Sequence, residues 1–245
     1  MNSTIELIVA LDEPDYQRAL AIVETTAAVV RWYKVGYAAF YSCGERLLAE
    51  LRRRNLSVFL DLKLHDIPST VAAGVQSAAR FSPSLLSVHA SGGRDMLAAA
   101  AKTRDEANAN GAQMRLLAVT VLTSLSRDDL ASIGDEPSPH RIVSMRAELA
   151  AEAGIDGVVC AVDEVAIVRA RTSERFTIVC PGIRPAGAWP GEQRRTATPA
   201  EAVIAGADFI VVGRPITHAS DPAAAAQAIV NEMRAISPLG NFRER

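Results

Sequence analysis

The stretch Val58-Phe59-Leu60-Asp61-Leu62-Lys63-Leu64-His65-Asp66-Ile67-Pro68-Ser69-Thr70 holds the pattern from which the rest of the chain can be read. Its opening run, Val58 to Leu62, is apolar apart from one aspartate, the composition of a strand buried on both faces. Charged residues then crowd the carboxyl end, and helical periodicity resumes over Val71 to Ala79. A buried strand that ends in charges and leads into a helix is one βα unit of a parallel sheet.

The unit recurs on both sides. Expected strands are Leu7 to Leu11, Trp32 to Val35, Val58 to Leu62, Leu85 to His89, Leu116 to Val121, Gly157 to Cys160, Thr177 to Cys180 and Phe209 to Val212. Helical patterns lie between or after them at Tyr16 to Ala28, Gly44 to Arg53, Val71 to Ala79, Asp95 to Ala109, Arg141 to Ala153, Val162 to Ala170, Pro199 to Ala205 and Pro222 to Met233. Eight units in 245 residues leave about 31 residues each, the size of one α/β (β/α)8 TIM barrel, expected here as a single domain over residues 1–245. An open doubly wound sheet is the competing architecture. The run after the first strand, Val9-Ala10-Leu11-Asp12-Glu13-Pro14, lacks the glycine fingerprint that a dinucleotide-binding open sheet carries there. Gly134 to Pro139 and Pro181 to Gly191 read as loops, and the segment Pro181 to Thr196 is a candidate gate.

Composition narrows the class. Hydrophobic residues make up 49% of the chain but aromatics only 5%, so the core is built from Ala, Val, Ile and Leu. The net charge of −2 supplies no basic field, and nucleic acid is not an expected partner. Cys43, Cys160 and Cys180 are odd in number and widely spaced, against a disulfide framework or a zinc site. No apolar run approaches the roughly 18 residues of a membrane span, and the amino terminus does not read as a secretory signal, so a cytoplasmic protein is expected.

In a barrel, side chains at the carboxyl ends of strands converge on one mouth. Asp12, Lys34, Asp61, Lys63 and Asp66 fall there. Period two places Asp61 and Lys63 on one face with Cα atoms about 6.5 to 7 Å apart. An ion pair that merely fixes a strand end is the bland explanation for an isolated Asp-x-Lys. With Asp12 and Lys34 approaching the same mouth, however, the charges form an alternating array that keeps each lysine protonated and each aspartate ionised. An ammonium held beside carboxylates suits an enzyme that must protonate a carbanion.

The run from Asp61 to Thr70 resembles the D-x-K-x-x-D-I-P-x-T signature of the orotidine 5′-phosphate decarboxylases. The likeness continues through Val9-Ala10-Leu11-Asp12, Lys34-Val35-Gly36, Val88-His89-Ala90-Ser91-Gly92-Gly93, Val119-Thr120-Val121-Leu122-Thr123-Ser124, Pro181-Gly182-Ile183-Arg184-Pro185 and Val212-Gly213-Arg214-Pro215-Ile216-Thr217. The resemblance implies a cofactor-free, metal-free decarboxylation of orotidine 5′-monophosphate to uridine 5′-monophosphate and CO2 in pyrimidine biosynthesis. Lys63 would protonate C6, and Asp61 would face the departing carboxylate. Asp66 would reach across a homodimer interface into the neighbour's site. Asp12, Lys34 and Thr70 would hold ribose hydroxyls, and Thr123 the pyrimidine. Arg184, Gln193, Gly213 and Arg214 would bind phosphate. Ser69 stands where the family often has Asn, and Glu192 precedes Gln193; neither touches the charged array.

The phosphate assignment also has a physical basis, because barrels often bind phosphate after strands seven and eight and glycine allows close backbone approach. Gly213-Arg214 as an ordinary turn and Arg184 as a solvated loop charge are the alternatives. Arg194 and Arg195 are expected to be surface charges, His89 a hydrogen-bonded structural histidine, and His65 without a chemical role. His140 and His218 show no metal-ligand spacing. Trp189 falls in the candidate gate. Two rival functions are a metal-dependent phosphosugar aldolase or decarboxylase of the same barrel group, and a noncatalytic nucleotide-binding barrel.

Overall fold

The computed structural model describes residues 5–135, 138–185 and 194–236. Eight parallel strands close in sequence order: β1 (Glu6–Leu11), β2 (Trp32–Val35), β3 (Ser57–Leu64), β4 (Leu85–His89), β5 (Arg115–Val119), β6 (Gly157–Val159), β7 (Thr177–Cys180) and β8 (Phe209–Val212). Closure runs through β8 against β1, from Glu6 opposite Phe209 to Val9 opposite Val212. The closed ring gives the expected (β/α)8 barrel and rules out the open sheet.

The helices are α1 (Tyr16–Thr26), α2 (Tyr37–Arg53), α3 (Pro68–Ala79), α4 (Gly93–Ala109), α5 (Arg127–Ser132), α6 (Pro139–Glu152), α7 (Val165–Arg169), α8 (Pro199–Ala205), α9 (Arg214–Thr217) and α10 (Pro222–Ile236). Local chemistry sets several starts. Asp15 caps α1 by accepting from the Arg18 amide at 2.9 Å. Thr198 and Glu201 form a reciprocal capping box on α8, which has Pro199 in its first turn and ends at left-handed Gly206.

Alternation along each strand divides the apolar residues between two layers. On β1, Leu7, Val9 and Leu11 join the layer that also holds Leu47, Leu48 and Leu51 of α2. Ile8 and Ala10 turn the other way and pack with Phe59, Leu85, Leu117 and Val211 inside the ring. Trp32 meets Phe209 edge-on at 4.8 Å in that inner cluster. The inner residues thus plug the barrel, and the next inward positions along β2, β3 and β4 are Lys34, Asp61 and Ser87.

Some boundaries differ from expectation. β5 stops at Val119 rather than Val121, although the amide and hydroxyl of Thr120 still donate to Val159 O on β6. The expected single helix over Val162 to Ala170 is a 3-10 turn, Val162–Glu164, followed by α7. The short helices α5 and α9 carry no apolar period long enough to read from sequence.

Candidate active site

The inward charges at the mouth form one connected chain. Lys34 Nζ lies 2.7 Å from Asp12 Oδ1 and 3.7 Å from Asp61 Oδ2, and Lys63 Nζ donates to Asp61 Oδ2 at 2.8 Å. Lys34 and Asp61 are the buried centre of this chain; Asp12 is its exposed end. Gly36 at the start of α2 is required by close approach: a Cβ there would lie 2.9 Å from Asp12 Oδ1 and 3.0 Å from Lys34 Nζ.

Lys63 reaches Asp61 by a route that strand period does not describe. Leu60 pairs with Leu86 and Leu64 with Val88, so Asp61, Leu62 and Lys63 stand opposite the single residue Ser87. This is a bulge, and Lys63 sits in it at φ 44°, in the left-handed region. A non-glycine residue held there stores about 1–3 kcal/mol of strain that surrounding contacts must offset. Ser87 makes those contacts: its Oγ accepts from the Lys63 amide at 2.8 Å and donates to Asp61 Oδ1 at 2.8 Å. Asp61 and Lys63 therefore meet as expected, but through a bulge and not through an undistorted two-residue repeat. Tyr37 closes the flank, donating from its hydroxyl to Leu62 O at 2.9 Å with its ring 5.6 Å from Lys63 Nζ.

Electrostatics follow from the partners. Burial pushes the Asp61 carboxyl upward, but the ammoniums of Lys34 and Lys63 and the hydrogen bonds from Lys63 and Ser87 outweigh it, leaving Asp61 below its ordinary value. For Lys34, burial acts downward, and Asp61 and Asp12 reverse it to a net rise. Both groups are held charged at neutral pH.

The mouth opens into a cavity of about 310 Å³ whose lining includes Asp12, Lys34, Asp61, Lys63, Thr123, Arg184, Gly213 and Arg214. Its floor is apolar, with Ala10, Phe59, Val119, Val159 and Val211. Ammonium and carboxylate groups stand at the β1–β3 side, while Arg184 and Arg214 follow β7 and β8. Burial and the neighbouring Arg214 guanidinium both lower the Arg184 pKa, so two cations share one region, an arrangement that suits an anion. Gly182 at φ 77° and Gly213 at the start of α9 bring bare backbone to the same side. The polar ends and apolar floor match a ligand with a flat, weakly polar middle and an anionic end.

Eight of the expected site residues thus line one cavity. Asp66 and Thr70 do not: both are exposed on the β3–α3 side, where Asp66 accepts from the Ile67 amide at 2.6 Å. Gln193, Glu192 and Trp189 lie outside the described residues. His89 behaves as a structural histidine, with Nδ1 accepting from the Ser91 amide at 3.3 Å and 2.5 Å from Ser91 Oγ, and with its ring stacked on His65 at 5.3 Å. Burial, helped by nearby cations, lowers its pKa to about 4.

Sequence reasoning misplaced Arg195. Arg194 is a surface charge paired with Asp129 at 2.9 Å, but Arg195 is largely buried and forms an ion pair with fully buried Glu164. The reason is topological: Glu164 sits after β6 and turns inward, so the returning chain after β7 must bring it a cation. Ser87 and Tyr37 were missed as well. A signal for Ser87 existed in Leu85-Leu86-Ser87-Val88, because a lone hydroxyl in a buried strand needs partners.

Among the described residues, no group of three or more His, Cys, Asp or Glu side chains is arranged to hold a metal ion, and no helix is long and apolar enough to cross a membrane. All three cysteines are free.

Comparison with known proteins gives the family. A protein named orotidine 5'-phosphate decarboxylase from Methylobacterium sp. (strain 4-46) is 48% identical over 227 residues, 93% of this chain and 94% of the relative. One of the same name from Nostoc sp. (strain PCC 7120 / SAG 25.82 / UTEX 2576) is 44% identical over 238 residues, 96% of this chain and 99% of the relative. The crystal structure of orotidine 5'-phosphate decarboxylase from Lactobacillus acidophilus superposes with a TM-score of 0.81 at 37% identity, covering 94% of this chain and 99% of that one. The profile described as Orotidine 5'-phosphate decarboxylase / HUMPS family matches residues 6–229, and the chain belongs to that family.

Proposed function

We propose that this chain is an orotidine 5′-phosphate decarboxylase, a single catalytic domain over residues 1–245 that releases CO2 from orotidine 5′-monophosphate and protonates C6 with Lys63. The observation that carries this reading is the chain Asp12, Lys34, Asp61, Lys63 set over an apolar floor and opposite two arginines. Losing CO2 from C6 leaves an electron pair in the plane of the ring, with no carbonyl placed to accept it. A fixed cation beside that carbon stabilises the developing charge and supplies the proton. In this reading Lys63 performs both tasks. Asp61 orients it and faces the departing carboxylate. The apolar floor keeps the reacting centre dry, which strengthens every charge–charge interaction in it.

The remaining contacts follow the cavity. Asp12 and Lys34 hold ribose hydroxyls, Thr123 contacts the pyrimidine, and Arg184, Arg214, Gly213 and Gln193 take the phosphate. Phosphate binding remote from C6 contributes to the rate by fixing the ring against Lys63. Asp66 and Thr70 are exposed beside α3 and do not line their own chain's cavity. Their exposure supports a homodimer in which these side chains serve the partner's cavity.

The metal-dependent aldolase is disfavoured by the donor set, because Asp61 is already engaged by two ammoniums and a hydroxyl. A spectrophotometric assay with orotidine 5′-monophosphate, run with and without EDTA, tests the reading. Turnover that is insensitive to chelator is expected; activity that disappears in EDTA and returns with Mg2+ would favour the aldolase-type reading. Bound uridine 5′-monophosphate with no change in substrate absorbance would favour a noncatalytic barrel. Mixed dimers of Asp66→Asn and Lys63→Ala subunits should recover some activity, and verified heterodimers without recovery would remove the shared site.

A further inference from the structure

We infer that Ser87 is a positioning residue for the proton donor, setting the backbone of Lys63 and one oxygen of Asp61 through a single hydroxyl. The inference rests on the decarboxylase reading and extends it to β4. Ser87 is fully buried and occupies the one position of β4 that faces the three-residue excursion of β3. Its hydroxyl has one proton to give. Because the Lys63 amide can only donate, Ser87 Oγ must accept there, and its own proton is directed to Asp61 Oδ1.

The consequence is a division of labour on Asp61. Oδ1 is taken by Ser87 and Oδ2 by Lys63 and Lys34, so the carboxylate cannot rotate without breaking a charge-assisted hydrogen bond. The same hydroxyl occupies the gap that the bulge leaves in the β3–β4 ladder and holds Lys63 at φ 44°. Without it, the Lys63 amide loses its acceptor in a poorly hydrated place, and the left-handed conformation loses the contact that maintains it. Relaxation of φ would swing the Nζ away from the reacting carbon while leaving the ribose and phosphate contacts in place.

The test compares wild type, Ser87→Ala and Ser87→Cys in steady-state decarboxylation across pH, with folding checked by circular dichroism. Ser87→Ala is expected to lower kcat about a hundredfold with KM little changed, the size of effect that a displacement near 1 Å produces. Ser87→Cys, nearly isosteric but a weak donor, should fall between, and it carries the comparison if the alanine variant fails to fold. The acid limb of the pH profile is the readout that a purely structural serine would leave alone. Asp61 is faced by Lys34 of β2, which also pairs with Asp12, by Lys63 on its own strand and by Tyr37 from α2; removing the Ser87 proton subtracts one stabilising contact from the carboxylate. The acid limb should therefore move to higher pH. A folded variant with wild-type kcat and an unmoved acid limb overturns the positioning role, while an inactive wild-type chain overturns the decarboxylase reading itself and this inference with it.

Discussion

Asp61 and Glu164 are both buried carboxylates with a basic partner, and they settle on opposite sides of their ordinary pKa values. Asp61 is bound by two ammoniums and a serine hydroxyl, and these outweigh burial to hold it low. For Glu164, burial is the larger influence, and the Arg195 guanidinium with the Ala161 amide does not offset it, so its pKa is raised. Burial alone therefore does not decide in which direction a carboxylate shifts; the donors and charges aimed at it enter as well. Asp61 lies in an open mouth where charge has chemical use, while Glu164 lies sealed in the wall, where it joins the segment after β7 to the turn after β6.

The sharpest way to break the comparison is to remove the cation with a chemical task. Lys63→Ala should lower turnover by about three orders of magnitude or more while uridine 5′-monophosphate still binds, measured by kcat and by equilibrium titration. Substantial residual decarboxylation would take the acid role from Lys63. Lys34→Met is the next largest change, because it leaves Asp61 nearer the situation of Glu164. About a hundredfold loss in kcat is expected, with the acid limb of the rate profile displaced upward as Asp61 loses its leading stabilising charge. An unmoved limb would mean that Lys34 does not set the state of Asp61.

At the sealed pair the expected effects are on stability. Glu164→Leu should cost about 3–5 kcal/mol in urea unfolding by leaving Arg195 buried and unpaired. The double variant Glu164→Leu, Arg195→Met should recover most of that loss or end more stable than wild type. Recovery of folding and activity together would mark the pair as a tether with an apolar substitute, which the mouth cannot accept. A double variant as unstable as the single one would show a role beyond mutual neutralisation.

The smallest expected effect is pH-dependent. His89 titrates at about 4 in the folded chain against 6.5 for an ordinary imidazole, so the unfolded chain binds more protons between those values. His89 therefore contributes to a fall in stability as the pH drops from 6.5 towards 4, and nothing further above 6.5. The urea midpoint of His89→Asn should be less steep across that window; an identical slope would assign the dependence to other groups.

Much of this molecule was legible before folding. The alternation of buried strand and helix carried the barrel because both periods are local, and the charges at strand ends carried the mouth because the barrel gathers such ends in one place. The boundary errors lie at element ends, where a local period carries least information, as at β5, which ends before Thr120. Arg195 was misread because a basic residue near Pro and Gly resembles a solvated loop, and nothing nearby in sequence announces Glu164, 31 residues away. Ser87 escaped for the same reason, lying 26 residues from Asp61 and 24 from Lys63.

The sequence by itself pointed to an eight-unit parallel barrel and to the charges at its strand ends, since strand period and residue order are local, while the closing of the ring was seen only in the fold. Only the tertiary structure decided how Lys63 is aimed and in which direction the pKa of each buried carboxylate moves. A bulge exists only against its neighbouring strand, and a buried carboxylate shifts up or down according to partners that distant parts of the chain bring to it.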